Sequence, residues 1–525
     1  MFKNHPKGLL QAALSNMGER FGYYIMIAVL ALFLCSKFGL SDETSGLISA
    51  LFLAAIYVMS LVGGIIADKT QNYQRTIESG LIIMAIGYIA LSFPVMVTPE
   101  NNSFWLFFTI VALALISLGN GLFKGNLQAI VGQMYDDFEA DAAKVSPEKL
   151  KWAQGQRDSG FQIFYVFINI GSLIAPFLAP WLREWWLGTK GFTYNANLPK
   201  LCHDFINGNI GDQLGNLQTL ARQVGGDVSN LSAFCSNYLD AFNTGIHYSF
   251  IVSVLMMLVS LAIFVCNKRK FPMPGKKTED INTTATDKIV DNYTDEEKAK
   301  MAAEMKQRMY ALFAVLGISV FFWFSFHQNG QSLSFFARDF VKTDSIAPEI
   351  WQCVNPFFVI ALTPVIMWIF SYFAKKGNPI STPKKIAIGM GIAGLAYLFL
   401  MIISIANSYP SAEIFTNIEP VARDTMKSAP WVLILTYFFL TVAELFISPL
   451  GLSFVSKVAP KNLQGLCQGL WLGATAVGNG FLWIGPLMYN KWSIWECWLV
   501  FAIVCFVSMI VMFGMVKWLE KVTKS

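Results

Sequence analysis

The stretch Leu9–Cys35 reads LLQAALSNMGERFGYYIMIAVLALFLC, and it decides what kind of protein this is. A helix that crosses the hydrocarbon core of a bilayer needs about 20 predominantly apolar residues. This stretch is long enough, yet Glu19 and Arg20 stand side by side in its middle. The basic start Met1-Phe2-Lys3-Asn4-His5-Pro6-Lys7 gives it the look of a signal peptide. The charged pair interrupts the apolar run, however, and no small-residue cleavage site follows, so the expectation is a retained first spanning helix. Further segments of the same character follow at 43–67, 76–98, 104–134, 156–182, 244–266, 308–337, 350–373, 386–407, 430–456, 463–490 and 495–517. Twelve spans in two groups of six predict an all-α polytopic membrane protein.

Composition agrees. The 525 residues are 54% hydrophobic and 14% charged, against roughly 25% charged in soluble domains. Mean hydropathy is +0.48. Too few charges exist to coat several soluble surfaces, which also excludes a disordered or collagen-like chain. The net charge of +5 is modest and forms no basic stripe, so no nucleic-acid partner is expected. The eight Cys are scattered without CxxC or zinc spacing, so no metal site is expected. The four His, at 5, 203, 247 and 327, form no HExxH, and no GxSxG is present, so the chain does not read as an enzyme.

Lys and Arg set the expected orientation. With the N-terminus inside, the cytoplasmic segments hold Lys69 and Arg75; Lys268, Arg269 and Lys270; Lys375, Lys376, Lys384 and Lys385; Lys457 and Lys461; and Lys517, Lys521 and Lys524. The short outer loops are basic-poor. Both termini are therefore expected in the cytoplasm, in a plasma or bacterial inner membrane. Residues 1–266 form the first half, 267–307 a cytoplasmic linker, and 308–525 the second half. In the linker, Thr294-Asp295-Glu296-Glu297-Lys298 reads as the capped start of a helix. Residues 183–243 form a long extracytoplasmic loop that contains Cys202 and Cys235. A disulfide between them is one expectation, since that side is oxidising, and two free thiols the other.

Few ionisable groups lie deep in the spans: Glu19, Arg20, Lys124, Glu444 and, besides these, His327. Each charge costs about 2.5–3.5 kcal/mol at a helix centre, so the four should face a wet cavity and one another. Asn16, Arg20 and Tyr24 are four apart and share a helix face. Lys124 lies among small residues in Gly119–Asn126. Pro449, just after Glu444, is expected to break its helix. Two readings follow. One is a receptor for a zwitterion, with Arg20 and Lys124 on a carboxylate and Glu444 on an ammonium; the other is ion pairs that merely lock helices together. Gly465, Gly469 and Gly473 form a stripe for close helix packing.

These residues resemble the proton-dependent oligopeptide transporter family of the major facilitator superfamily. The segment Asn16 to Tyr24 resembles its ExxERFxYY motif. Gly63 to Lys69 is similar to its loop between helices 2 and 3. Gly121 to Lys124, then Arg157-Asp158-Ser159-Gly160-Phe161 running into Phe164-Tyr165 and Ile168 to Gly171, resemble its helix 4 and 5 signatures. Gln352 to Pro356, Glu444 to Gly451 and Gly469-Leu470-Trp471 recur in order in the second half. The resemblance implies a major facilitator fold and symport of di- and tripeptides with protons into the cell by alternating access; the alternative is another small amine- or carboxylate-bearing solute. It implies Arg20 and Lys124 on the peptide C-terminus, Glu444 with Asn355 and Asn169 on the amino end, and Tyr23, Tyr24 and Tyr57 lining the site. Trp323, Trp471 and Thr475 would shape side-chain pockets. Glu19, His327 and Glu444 would couple protons, the only co-substrate implied, and Asp68 would pin the inner gate. No cofactor is expected, and the partners are small peptides and the lipid bilayer around a monomer. Two departures stand out. Asn16 replaces the first Glu of the motif, and Ile27 and His327 stand where many members carry an outer-gate Arg and acid.

Overall fold

The computed structural model describes residues 4–40, 42–195, 197–272, 295–343, 351, 353–416, 418 and 420–524. Eighteen α-helices run through them. The first half holds α1 (Leu9–Phe38), α2 (Asp42–Thr70), α3 (Tyr73–Ser92), α4 (Asn102–Ala143), α5 (Pro147–Thr189), the short α6 (Leu198–Ile206) and α7 (Leu214–Gln223), and α8 (Leu231–Cys266). The second holds α9 (Asp295–Phe326), α10 (Ser332–Phe340), α11 (Val354–Lys375), α12 (Thr382–Ala406), α13 (Ala412–Thr416), α14 (Pro420–Met426), α15 (Trp431–Val458), α16 (Gln464–Gly480), α17 (Ile484–Lys491) and α18 (Ile494–Lys524). Among the described residues, eleven helices are long and apolar enough to cross a membrane. The remaining crossing, the eleventh in chain order, is made in two pieces, α16 and α17.

That break departs from the single span expected over 463–490. Pro486 has no N–H for the carbonyl of Leu482, and this carbonyl accepts from the Gly485 N–H at 3.1 Å and from Gln328 Nε2 at 3.2 Å. Other boundaries shift as well. The third span ends at Ser92 rather than 98, because Phe93 precedes Pro94 and is extended (φ −71°, ψ 117°). The fifth and sixth spans run on to Thr189 and back to Leu231, which shortens the long loop to 190–230 and fills it with α6 and α7. Pro449 does not break its helix: α15 continues through it. Packed neighbours make such a proline tolerable inside a membrane. The linker helix is present from Asp295, joined to the seventh span as α9; Thr294 and Gln352 lie outside the described residues.

Both termini lie on one face. His5 Nδ1 is 2.6 Å from Tyr135 Oη near the end of α4, and Ser381 Oγ donates to Glu520 at 2.5 Å near the end of the chain. Within the first half α1 packs on α5 and α8, and α3 on α4; within the second α12 packs on α15 and α18. The halves meet where α2 and α4 cross α16, and where α5 crosses α11 and α15. Glycines permit the first crossing. A Cβ on Gly64 would lie 2.5 Å from the Gly465 carbonyl oxygen, and one on Gly469 3.0 Å from that of Ser60. Gly473, the third of the stripe, faces open space.

Candidate functional site

The ionisable residues singled out in the sequence fall on α1, α4 and α15, with His327 in the 3₁₀ turn (His327–Gly330) directly after α9. On α1, the Arg20 guanidinium grips Glu19 with two hydrogen bonds, Nε to Oε2 at 2.5 Å and Nη2 to Oε1 at 2.6 Å. Asn120 of α4 donates to the same Oε1 at 2.7 Å. Arg20 also stands 4.5 Å from the Tyr23 ring centroid, and Tyr23 meets Tyr24 edge to face at 5.3 Å. Lys124 lies one turn along α4 from Asn120. Its Nζ is 5.5 Å from the Tyr57 ring, and among the described residues no carboxylate pairs with it. It is within electrostatic reach of both Arg20 and Glu19.

Glu444 belongs to the other half. Oε1 accepts from Tyr165 Oη at 2.5 Å and Oε2 from Asn355 Nδ2 at 2.7 Å. Both donors are neutral, so the carboxylate is held without a counter-cation. Tyr24 lies within electrostatic reach of Arg20 on one side and Glu444 on the other. The expectation of mutual pairing among the four charges thus holds only for Glu19 with Arg20. Lys124 and Glu444 remain unspent, one on each half. Asn169 donates back to the Tyr165 carbonyl at 3.0 Å, so it supports the helix that carries Tyr165 rather than touching Glu444.

The tryptophan candidates are in the second half. Trp323 is buried and stacks on His327 at 4.9 Å and 22°. His327 Nδ1 is 2.5 Å from Asn479 Oδ1 on α16. Trp471 packs so closely on Gly451 that a Cβ there would lie 2.0 Å from the indole. Thr475, one turn on, donates to the Trp471 carbonyl at 3.4 Å.

Toward the face with the termini, the halves are fastened together. Asp68 Oδ1 and Oδ2 accept from the backbone N–H of Gly465 and Leu466 at 2.9 and 2.7 Å, at the start of α16. The positive end of a helix is where an acid is favoured. Tyr73 Oη donates to the same carboxylate. Asp158 accepts from Lys385 Nζ at 2.8 Å, Lys457 Nζ at 2.7 Å and Ser453 Oγ at 2.6 Å. Its neighbour Arg157 binds Glu139 and Asp136 on its own half and the Ser456 carbonyl, at 3.2 Å, on the other.

A family model described as PTR2, POT family, matches residues 74–291 and 278–491. The chain belongs to the POT family. A peptide transporter of Yersinia enterocolitica is 28% identical to it over 91% of this chain and 87% of that protein. Dipeptide and tripeptide permease B of Shigella dysenteriae is also 28% identical, over 89% of this chain and 83% of the permease. Among solved structures, a POT peptide transporter in complex with sulfate has a TM-score of 0.58 at 21% identity, covering 100% of this chain and 97% of the other. A POT family transporter in complex with 5-aminolevulinic acid has a TM-score of 0.57 at 20% identity, covering 98% and 97%.

Within this POT chain, the fastening around Asp158 is what sequence reading missed. The sequence places Lys385 and Lys457 only among the basic residues of the cytoplasmic segments; in the structure both are largely buried. The signal was available, since Arg157 and Asp158 stand together near the start of a long apolar helix. Cys202 and Cys235 are both buried and lie next to each other, with no disulfide between them in this structure. That contact, with burial, pushes the Cys202 thiol above its usual range.

Proposed function

We propose that this protein is a secondary transporter that carries di- and tripeptides into the cell together with protons, by alternating access between its two halves. The observation that carries this reading is the pair of unspent charges, Lys124 on one half and Glu444 on the other, with Tyr24 between the charged clusters. A zwitterion has the ends to satisfy both. Its carboxylate would bind Lys124 and Arg20, the latter in bidentate fashion. Its ammonium would bind Glu444, which Tyr165 and Asn355 hold in place. Tyr23, Tyr57 and Asn169 support the walls, and Trp323, Trp471 and Thr475 face the ligand's side chains.

Coupling follows from Glu19. While ionised it occupies two N–H groups of Arg20, which a ligand carboxylate would need. Protonation of Glu19 releases them, so proton and peptide favour one another's binding. His327 is a second candidate proton carrier, since its imidazole bonds the neutral Asn479 and can take up a proton. One proton crossing 100 mV supplies about 2.3 kcal/mol, some fifty-fold accumulation. No other coupling ion or cofactor enters. Asp68, with the cluster at Asp158, acts as the gate that is shut in this structure. The lysine and arginine distribution supports a cytoplasmic side for that face and for both termini. The halves are 1–266 and 308–525, joined by 267–307, and the working unit is one chain.

Uptake of labelled dialanine into liposomes, with and without an imposed pH gradient, tests the reading. Accumulation only under an inward proton gradient is expected; equal uptake without one would overturn it. A second reading, a small amine- and carboxylate-bearing solute other than a peptide, is favoured by the related structure that holds 5-aminolevulinic acid. Failure of dialanine to compete with that compound would select it.

A further inference from the structure

Away from the midplane charges, the first half encloses another hollow at the face opposite the termini. It measures about 170 Å³ and lies between the end of α1, the extended segment after α3, the start of α4, α6 and α8. Sites for drug-sized ligands run to roughly 300–1,000 Å³, so a peptide does not fit here. Lys37 lines it and is only 6% exposed. Its Nζ is 2.8 Å from His247 Nε2 and 5.2 Å from the Phe33 ring centroid, and among the described residues no carboxylate pairs with it. His247 Nδ1 is 2.6 Å from the Leu91 carbonyl and so carries a hydrogen. Nε2 then accepts from Lys37, and the ammonium rests on a neutral imidazole and aromatic faces. A buried cation in that position lacks a counter-charge. On the same wall α4 begins at Asn102 with no side-chain cap. Asn102 Nδ2 donates to the Phe38 carbonyl at 3.2 Å, while its Oδ1 is buried without a partner.

We propose that this hollow binds a small oxyanion, held by Lys37 Nζ at the uncapped start of α4, with Asn102 Oδ1 accepting from a hydroxyl of the anion. The ligand chemistry is a partly protonated phosphate-like group. Two sources could supply it: a free oxyanion in the medium, or the headgroup of an anionic lipid. The charged and titratable groups that face His247 are Lys37 from α1, His203 from α6, and Asp240 on α8; α3 offers only the Leu91 carbonyl. His203 Nε2 is engaged by the Ser36 carbonyl at 2.7 Å. Asp240 is exposed at the mouth.

The test measures thermal midpoints of the full-length protein carrying Lys124→Gln, which weakens anion binding at the peptide site. One arm titrates inorganic phosphate in detergent; the other compares phosphatidylglycerol with phosphatidylcholine in nanodiscs. Midpoints are read at about pH 7.5, where imidazole is neutral. A rise kept in Lys37→Arg and weakened about tenfold or more in apparent affinity by Lys37→Gln supports the site. The arm that shows it names the source. Asn102→Ala, which removes the Oδ1 acceptor, should weaken binding as well, and it serves if Lys37→Gln does not fold. An equal rise in Lys37→Gln or in Asn102→Ala, or no rise in either arm, would overturn the proposal.

Discussion

Asp158→Asn is the sharpest perturbation of the shut face. The substitution keeps the shape of the side chain but removes the charge that holds Lys385 and Lys457. The Asp158 and Lys385 side chains are each 8% exposed, and Lys457 is 20% exposed. Breaking a buried pair by removing one partner costs about 3–5 kcal/mol. The partial exposure of Lys457 and the hydrogen bonds that Asn can keep with Ser453 place the loss near the lower end, about 3 kcal/mol, which is roughly a hundredfold in the balance between shut and open forms. Cys467 reports on this directly. It is fully buried on α16, in the seam beside Asp68. Its labelling by N-ethylmaleimide, read by peptide mass spectrometry, should be slow in the wild type and faster by one to two orders of magnitude in Asp158→Asn. Cys497 and Cys505, buried within the second half, should keep their slow rates in both and so exclude unfolding. Unchanged labelling of Cys467 would refute the reasoning that Asp158 holds the halves together.

Other outcomes follow from the same geometry. Glu19→Gln should leave Arg20 permanently free, so labelled peptide still exchanges across liposomes but pH-driven accumulation is lost; full accumulation would remove Glu19 from the coupling. His327→Ala should flatten the pH dependence of uptake while exchange persists, and an unaltered pH profile would leave the imidazole only its stacking on Trp323 and its bond to Asn479. Cys202 and Cys235, neighbours but unbonded in this structure, should be oxidised to a disulfide in an oxidising compartment, so in protein isolated under non-reducing conditions they should resist alkylation until reductant is added. Labelling of both without reductant would show that the adjoining thiols stay free.

The sequence was most informative where one residue type had one physical excuse. Glu19, Arg20, Lys124 and Glu444 stood out because a bilayer penalises each of them, and the structure does bring their helices around a common region. What could not be read was the partnering. Four charges that sum to zero suggested pairing, yet only Glu19 and Arg20 pair, because Tyr165 and Asn355 satisfy Glu444 without charge. Hydroxyl and amide donors leave no such mark in an apolar stretch. Lys385 and Lys457 misled for the opposite reason: near helix ends a lysine is cheap, so its burial against a carboxylate from the other half is invisible until the halves are assembled. Helix ends drifted where a proline acts through its neighbours. Pro94 ended α3 early, Pro486 split the eleventh crossing, and Pro449 changed nothing because the surrounding helices enclose it.

The central claim is that charges from separate halves hold the two ends of one ligand. Competition by dialanine, its C-terminal amide and its N-acetyl form tests this most directly, in the wild type, Lys124→Gln and Glu444→Gln. The wild type should bind each blocked peptide about tenfold or more weakly than dialanine, since each has lost one charge-assisted contact. Lys124→Gln should lose much of the discrimination against the amide and keep that against the acetyl form, and Glu444→Gln should do the reverse. Blocked peptides that compete as well as dialanine, or two variants that respond identically to both blocks, would contradict the account.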